Sequence, residues 1–260
     1  MPKFAKLSSK NSNRLILLKN LTWNDRRKCW KTSDLRQQWS TFNMDQLNNG
    51  GKSKIKDSLK IEVSSLDSFF SGNENFEDRN ETITSELLKR IESCDINDLS
   101  LANQNITFFE YLKLVSSKKI NELFLDFVKI IYEDGTSVPL DRILAQVPTL
   151  NRLIVKGDFY DYSKFNSETA KKLSELSKFE NLWVFELHDI SEAFNVDDFC
   201  NFILKHKSQK VEYYLYLRYP SIKHEYTRKF YAAMNKIIEE WNGKYEILVM
   251  INGLEYPFEC

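Results

Sequence analysis

The sequence predicts an α/β protein: a short N-terminal helical module followed by a solenoid of strand–helix units with parallel strands. Three observations support this. Asn121, Asn151 and Asn181 recur at intervals of 30 positions, and each opens a short run of alternating apolar side chains. The segments between these runs carry apolar residues at helical spacing. Residues 1 to 60 hold 14 Lys and Arg against 4 Asp and Glu, residues 61 to 110 hold 3 against 11, and residues 111 to 260 hold 20 against 22, so a formally neutral chain divides into three regions. The expected organisation is a helical module at 1 to 46, a linker and irregular acidic segment at 47 to 105, and a strand–helix domain at 106 to 260.

In the first region, Leu17, Leu18 and Leu21 suit the end of an amphipathic helix, and Asn24 or Asp25 is placed to begin another through Arg26, Arg27, Lys28, Cys29 and Trp30. A module this small buries little surface alone and needs a partner. Asn48 to Ser53 is polar and glycine-containing, and the stretch from Ser71 to Asn80 has Phe76 as its one apolar residue, so both read as breaks between elements.

In the third region the alternating pairs are Leu123 and Leu125, Leu153 and Val155, Trp183 and Phe185, then Tyr213, Leu215 and Leu217, and finally Tyr245, Ile247 and Val249. Period-two alternation rich in aliphatic and aromatic residues is the strand signal. Between them, Pro139 starts a helix carrying Leu140, Ile143, Leu144 and Val147, which Pro148 ends. Ser167 is placed to cap the next, with Thr169, Leu173 and Leu176 on one face; Asn195 or Asp197 begins a third with Val196, Phe199, Phe202 and Ile203. Tyr226, Phe230, Ala233, Met234, Ile237, Ile238 and Trp241 make the longest stripe, stopped by Asn242 and Gly243. Strands and helices alternating with short connections imply parallel strands and crossover helices. A doubly wound sheet wants near-continuous apolar strands and a glycine-bearing ligand turn, and both are missing; a solenoid explains the even period.

In each strand the odd positions are the more consistently large and apolar, so they should face the helices, leaving the even positions on the other face. Those are Phe124, Asp126, Ile154, Lys156, Val184, Glu186, Tyr214, Tyr216 and Arg218. Aromatic, aliphatic and arginine side chains together suit a protein-binding surface, and Phe124, Ile154, Val184, Tyr214, Tyr216 and Arg218 are the candidate target-binding residues. The other reading is that a loop or the C-terminal tail covers them.

The stretch "RLILLKNLTWNDRRKCWKTSDLRQQW" resembles a divergent F-box, the short helical motif that docks on the Skp adaptor of cullin-based ubiquitin ligases, with the likeness running from Leu7 to Trp39. Leu17, Leu18, Leu21 and Asp25 fall at the family's spacing. The family's Leu-Pro start would fall at Ser9 and Lys10, and its later Val-Cys pair is replaced by Thr32 and Ser33. "KINELFLDF", "TLNRLIVKGDFYDYSKF" and "ENLWVFELHDI" are similar to the degenerate leucine-rich-like repeats that follow F-boxes in families expanded in nematodes. The resemblance implies a leucine-rich-repeat-like β-α domain that presents a target protein, and an adaptor contact through Leu17, Leu18, Leu21 and Trp23. It implies a substrate-recognition subunit, with the Skp adaptor and cullin ligase as partners.

Enzyme chemistry has little support. The histidines are His188, His206 and His224; the nearest acid–histidine arrangement is Glu186, His188 and Asp189. Cys200 and His206 fall on roughly opposite faces of one helix, so they do not make a nucleophile–base pair. Cys29, Cys94, Cys200 and Cys260 form no Cys-x-x-Cys pair, and there is no phosphate-binding glycine loop, nucleophile elbow or zinc helix. The expectation is a non-enzyme with no metal and no cofactor. Two rivals remain: a protein-binding repeat protein unconnected to ubiquitin, and nucleic-acid binding through the basic first region with Trp23, Trp30 and Trp39 as stacking residues. The tryptophans recur near helical spacing with leucines, which disfavours the second. No apolar run approaches the ~20 residues that span a bilayer, and the first 21 residues lack the pattern of a secretory signal, so the expected location is cytoplasmic or nuclear.

Overall fold

The computed structural model describes residues 16–24, 29–33, 39–42, 53–62, 83–156, 165–188, 190–206, 212–217, 224–239, 249–251 and 254–255. The chain divides into two compact units, residues 1–120 with 127–137, and residues 121–126 with 138–260.

The first unit is built on strands. β1 (Ile16–Asn24) lies parallel to β4 (Ser53–Glu62) and antiparallel to β2 (Cys29–Ser33), which pairs with β3 (Trp39–Phe42). β4 lies parallel to β5 (Ile91–Thr107). The helices expected from Leu17 through Trp30 are therefore replaced by β1 and β2. Leu17, Leu21 and Trp23 share the parity of a strand as readily as the spacing of a helix turn, and β4 supplies a parallel neighbour from Ile16 to Asn24. Long-range pairing overrides the local pattern.

The segment 47 to 105, expected to be irregular, holds β4, helix α1 (Ile83–Leu88) and most of β5. Its strands were hidden by slips of phase. Buried positions in β5 run Cys94 and Ile96, then Leu99 and Leu101, then Gln104 and Ile106. The first slip coincides with a bulge: Asp57 pairs with Ile96 but Ser58 pairs with Asp98, leaving Asn97 over. Asp57 takes a left-handed backbone (φ 69), and so does Asn103 (φ 55) at the second slip. Asp and Asn are among the few non-glycine residues that tolerate this region. Ile55, Leu59, Ile61, Leu99 and Leu101 form the core, joined by Leu87 of α1 and by Tyr111 and Leu114 of α2 (Phe108–Leu114). A buried polar bridge ties these layers together: Thr84 Oγ1 donates to Gln104 Oε1, and Gln104 Nε2 donates to the Ile61 carbonyl at 3.4 Å.

The second unit is a mixed α/β layer with a five-strand all-parallel sheet. Its order is β6 (Glu122–Ile131), β7 (Arg152–Lys156), β8 (Val184–His188), β9 (Glu212–Leu217) and β10 (Val249–Ile251), with β11 (Leu254–Glu255) added antiparallel at the edge. Helices α3 (Leu140–Leu144), α4 (Ser167–Glu175), α5 (Val196–His206) and α6 (His224–Glu239) fall in turn between them. β6 belongs to this unit only as far as Asp126.

The sequence periods translate into register with one adjustment. Leu123 pairs with Leu153 and Leu125 with Val155, but Leu153 pairs with Phe185 and not with Trp183. Trp183 lies just before β8 and is 40% exposed. The strand starts are tied by a stair of backbone bonds: the amides of Asn151 and Arg152 donate to the Asn121 carbonyl (2.7 and 2.9 Å), and those of Trp183 and Val184 donate to the Asn151 carbonyl (2.8 and 3.2 Å).

Helix starts follow capping chemistry. The cap of α4 is Asn166, one residue before the expected Ser167; its side chain accepts from the Glu168 and Thr169 amides, and the Thr169 hydroxyl accepts from the Asn166 amide. For α5 the Asn195 side chain accepts from the Asp198 amide at 3.1 Å. The core between sheet and helices is aromatic: Phe185 packs on Phe199 and Phe202 with ring centres 5.9 and 4.8 Å apart, and Phe194 meets Phe199 at 5.3 Å. Phe230, Met234 and Ile237 supply the buried stripe of α6.

Candidate functional site

Strand parity divides the second unit's sheet into two unlike faces. Leu123, Leu125, Leu153, Val155, Phe185 and Leu187 are buried, and the Phe185 contacts identify this as the helix side. The even positions make the other face. Phe124, Asp126, Lys156, Glu186 and His188 are half-buried, whereas Ile154 and Val184 keep only 9% and 4% of their surface.

Register arranges these residues in rows across the strands. Glu122, Arg152, Val184 and Glu212 make the first row; Phe124, Ile154, Glu186 and Tyr214 make the second. Asp126 pairs with Lys156, the last residue of β7, and His188, the last residue of β8, pairs with Tyr216. Of the candidate target-binding residues, Phe124, Ile154 and Val184 share the even face, Tyr214 and Tyr216 take the expected register beside Glu186 and His188, and Arg218 lies outside the described residues. Leu17, Leu18, Leu21 and Trp23 all lie in β1, the first three opposite Lys54, Ile55 and Leu59, and Trp23 opposite Ile61.

Two interactions pre-shape the even face. Lys156 Nζ sits 5.2 Å from the centre of the Phe124 ring, on the neighbouring strand, which holds both side chains in place. Glu186 and His188, two apart on β8, are joined by a hydrogen bond between Oε1 and Nε2, with side chains 15% and 14% exposed. Arg152 Nη1 approaches Glu122 Oε2 at 4.0 Å. The surface presents an aromatic ring, a cation and a carboxylate–imidazole pair across adjacent strands. Such a mixture suits contact with a polypeptide better than with an apolar ligand. Spacing alone revealed the parity, but the Lys156–Phe124 pairing needed the strand register.

Three other residues weighed for chemistry, His206, Cys94 and Cys200, are partly or fully buried. His206 is fully buried against Phe202 (4.3 Å) and Phe179 (5.1 Å), and its Nδ1 accepts the Phe179 amide proton at 3.0 Å. That bond assigns the proton to Nε2. Burial, reinforced by Lys205 and Lys178, pushes its pKa down to about 4, so the ring is neutral. Burial pushes the Cys94 thiol up to about 12 and the Cys200 thiol up to about 11, which makes both poor nucleophiles at neutral pH. Among the described residues no group of three or more His, Cys, Asp or Glu is placed to hold a metal ion, and no helix is long and apolar enough to cross a membrane.

Comparison with protein-family models, curated proteins and solved structures finds no match to this chain.

Proposed function

We propose that this chain is a protein-binding repeat protein whose strand–helix units form a solenoid and whose even sheet face recognises a target polypeptide. One observation carries the reading. From β6 to β8 the parallel strands seal their odd positions with large apolar side chains, while the even positions keep Phe124, Asp126, Lys156, Glu186 and His188 partly accessible, Lys156 held on Phe124 across strands and His188 on Glu186 along one strand. The strand order follows the chain order from β6 to β10, and consecutive helices from α3 to α6 are in contact, as a solenoid requires. The test is binding by the purified full chain before and after Phe124→Asp or Lys156→Glu: a partner that binds through this face is lost by either change.

A narrower version makes the chain a substrate-recognition subunit of a cullin ligase, with Leu17, Leu18, Leu21 and Trp23 on the Skp adaptor. The F-box-like sequence from Leu7 to Trp39 favours it. The strand character of Ile16–Asn24 counts against it, since the family's docking motif is helical. Co-purification with a Skp adaptor, abolished by Leu17→Asp and Leu21→Asp, is the result expected of the narrower version; a folded chain that ignores the adaptor leaves the general reading standing and removes the ligase.

A further inference from the structure

The corner of the second unit where α5 ends against the connection from α4 to β8 (residues 176 to 183) holds a histidine whose hydrogen bonding works only without a charge. The last two residues of α5 fasten that connection. Lys205 Nζ donates to the Ser174 carbonyl near the end of α4 at 2.9 Å, and His206 Nδ1 accepts the Phe179 amide proton at 3.0 Å. Phe202 and Phe179 wall the imidazole, with ring centres 4.3 and 5.1 Å away, and all three side chains are buried. Leu182, also buried, continues the connection into β8, whose start is tied by the Trp183 and Val184 amides to the Asn151 carbonyl.

Packing does not explain the imidazole. Its Nδ1 does what a neutral amide oxygen would do, while its Nε2–H is buried without an acceptor among the described residues. What the imidazole adds is a charge that can be switched by pH. A second proton goes to Nδ1, the atom that now accepts, and sets the ring N–H against the Phe179 N–H, two donors face to face. The charged groups acting on the ring are both cations, Lys205 on its own helix and Lys178 on the connection. Glu180 is exposed and meets Lys178 at 3.5 Å, and Glu175, the last residue of α4, is exposed too; among the described residues no carboxylate is paired with the ring.

We infer that His206 is an acid-operated latch on this connection: uptake of a proton undoes the Phe179 bond, turns the ring out to water and lets residues 176 to 183 open while the sheet stays formed, baring Phe179 and Phe202. The opening is local because the strand pairing from β6 to β9 passes through neither latch bond. The device does not depend on what the even face binds.

Hydrogen exchange of the full chain, read residue by residue by NMR and corrected for the intrinsic pH dependence of exchange, tests this. The Phe179 amide should be less protected than the amides of β7 at both pH 7.5 and pH 5. Between those values its protection should fall about thirtyfold, as a ring that titrates near 6.5 when released and at about 4 when latched requires. In His206→Asn and His206→Gln, which keep a neutral side chain at every pH, the fall should be absent; the wild-type comparison stands even if a variant fails to fold. Protection of Phe179 equal to that of β7 at both pH values means that only global unfolding frees it, and overturns the latch. So does wild-type protection that ignores pH, or a fall that persists in a folded variant.

Discussion

The two units solve the problem of parallel strands differently. In the second, each strand is short, a helix separates it from the next, and paired residues keep step from β6 to β9. In the first, β4 and β5 run side by side over ten pairs of residues with register shifts at Ser53/Lys54 and Asp57/Ser58, and left-handed residues at Asp57 in β4 and Asn103 in β5 accompany the changes of apolar phase. The regular unit is held largely by interlocking aromatic rings, the irregular one largely by aliphatic packing around Tyr111, with a buried polar bridge between Thr84 and Gln104. Regular alternation lets a sequence announce its strands; bulges preserve burial while scrambling the announcement.

Perturbations of each unit should separate these modes of stabilisation. The largest effect is expected from Phe185→Ala or Phe202→Ala, which removes a ring from the aromatic layer and should cost about 3 to 5 kcal/mol in denaturant unfolding. Next comes acid. His206 takes up a proton near pH 6.5 when unfolded but not until about pH 4 when folded, so stability is full above 6.5 and falls between 6.5 and 4 by about 3 kcal/mol. In His206→Gln that portion of the pH dependence should vanish, which parallel unfolding curves at pH 7 and 4.5 will read. In the first unit, Thr84→Val strips the Gln104 oxygen of its buried donor and should cost roughly 1 to 3 kcal/mol. The smallest effect belongs to Asn103→Gly, within about 1 kcal/mol of the wild type because glycine accepts the left-handed backbone, whereas Asn103→Val should cost more. If valine were tolerated as well as glycine there, the left-handed backbone of β5 at Asn103 would be wrong.

Legibility followed the same division. The strands carrying Leu123, Leu153 and Phe185, the helices from Pro139 to Glu239, and the parity of the sheet were all readable, because an uninterrupted period-two run between helical stripes has one good interpretation. Trp183 misled by two positions in register: it lies one residue before β8, and Leu153 pairs with Phe185 instead. In β1, Leu17, Leu18 and Leu21 satisfy a helix turn locally, and only the distant β4 decides for a strand. In β5 the buried residues change parity at Asn97 and again near Asn103, so no window of the sequence shows the whole strand. The even face was readable as a set of residues, but not which of them keep solvent contact. Ile154 and Val184 match Phe124 in parity and differ from it in burial.

The central claim, that the even face of the parallel sheet is where a target protein binds, is tested most directly by comparing the proteins captured by four full-length forms: wild type, Phe124→Asp, Lys156→Glu, and Lys172→Glu on the exposed side of α4. Target proteins should be retained by the wild type and by Lys172→Glu and lost by both even-face variants. An identical set captured by all four forms, or a set lost only through Lys172→Glu, would contradict it.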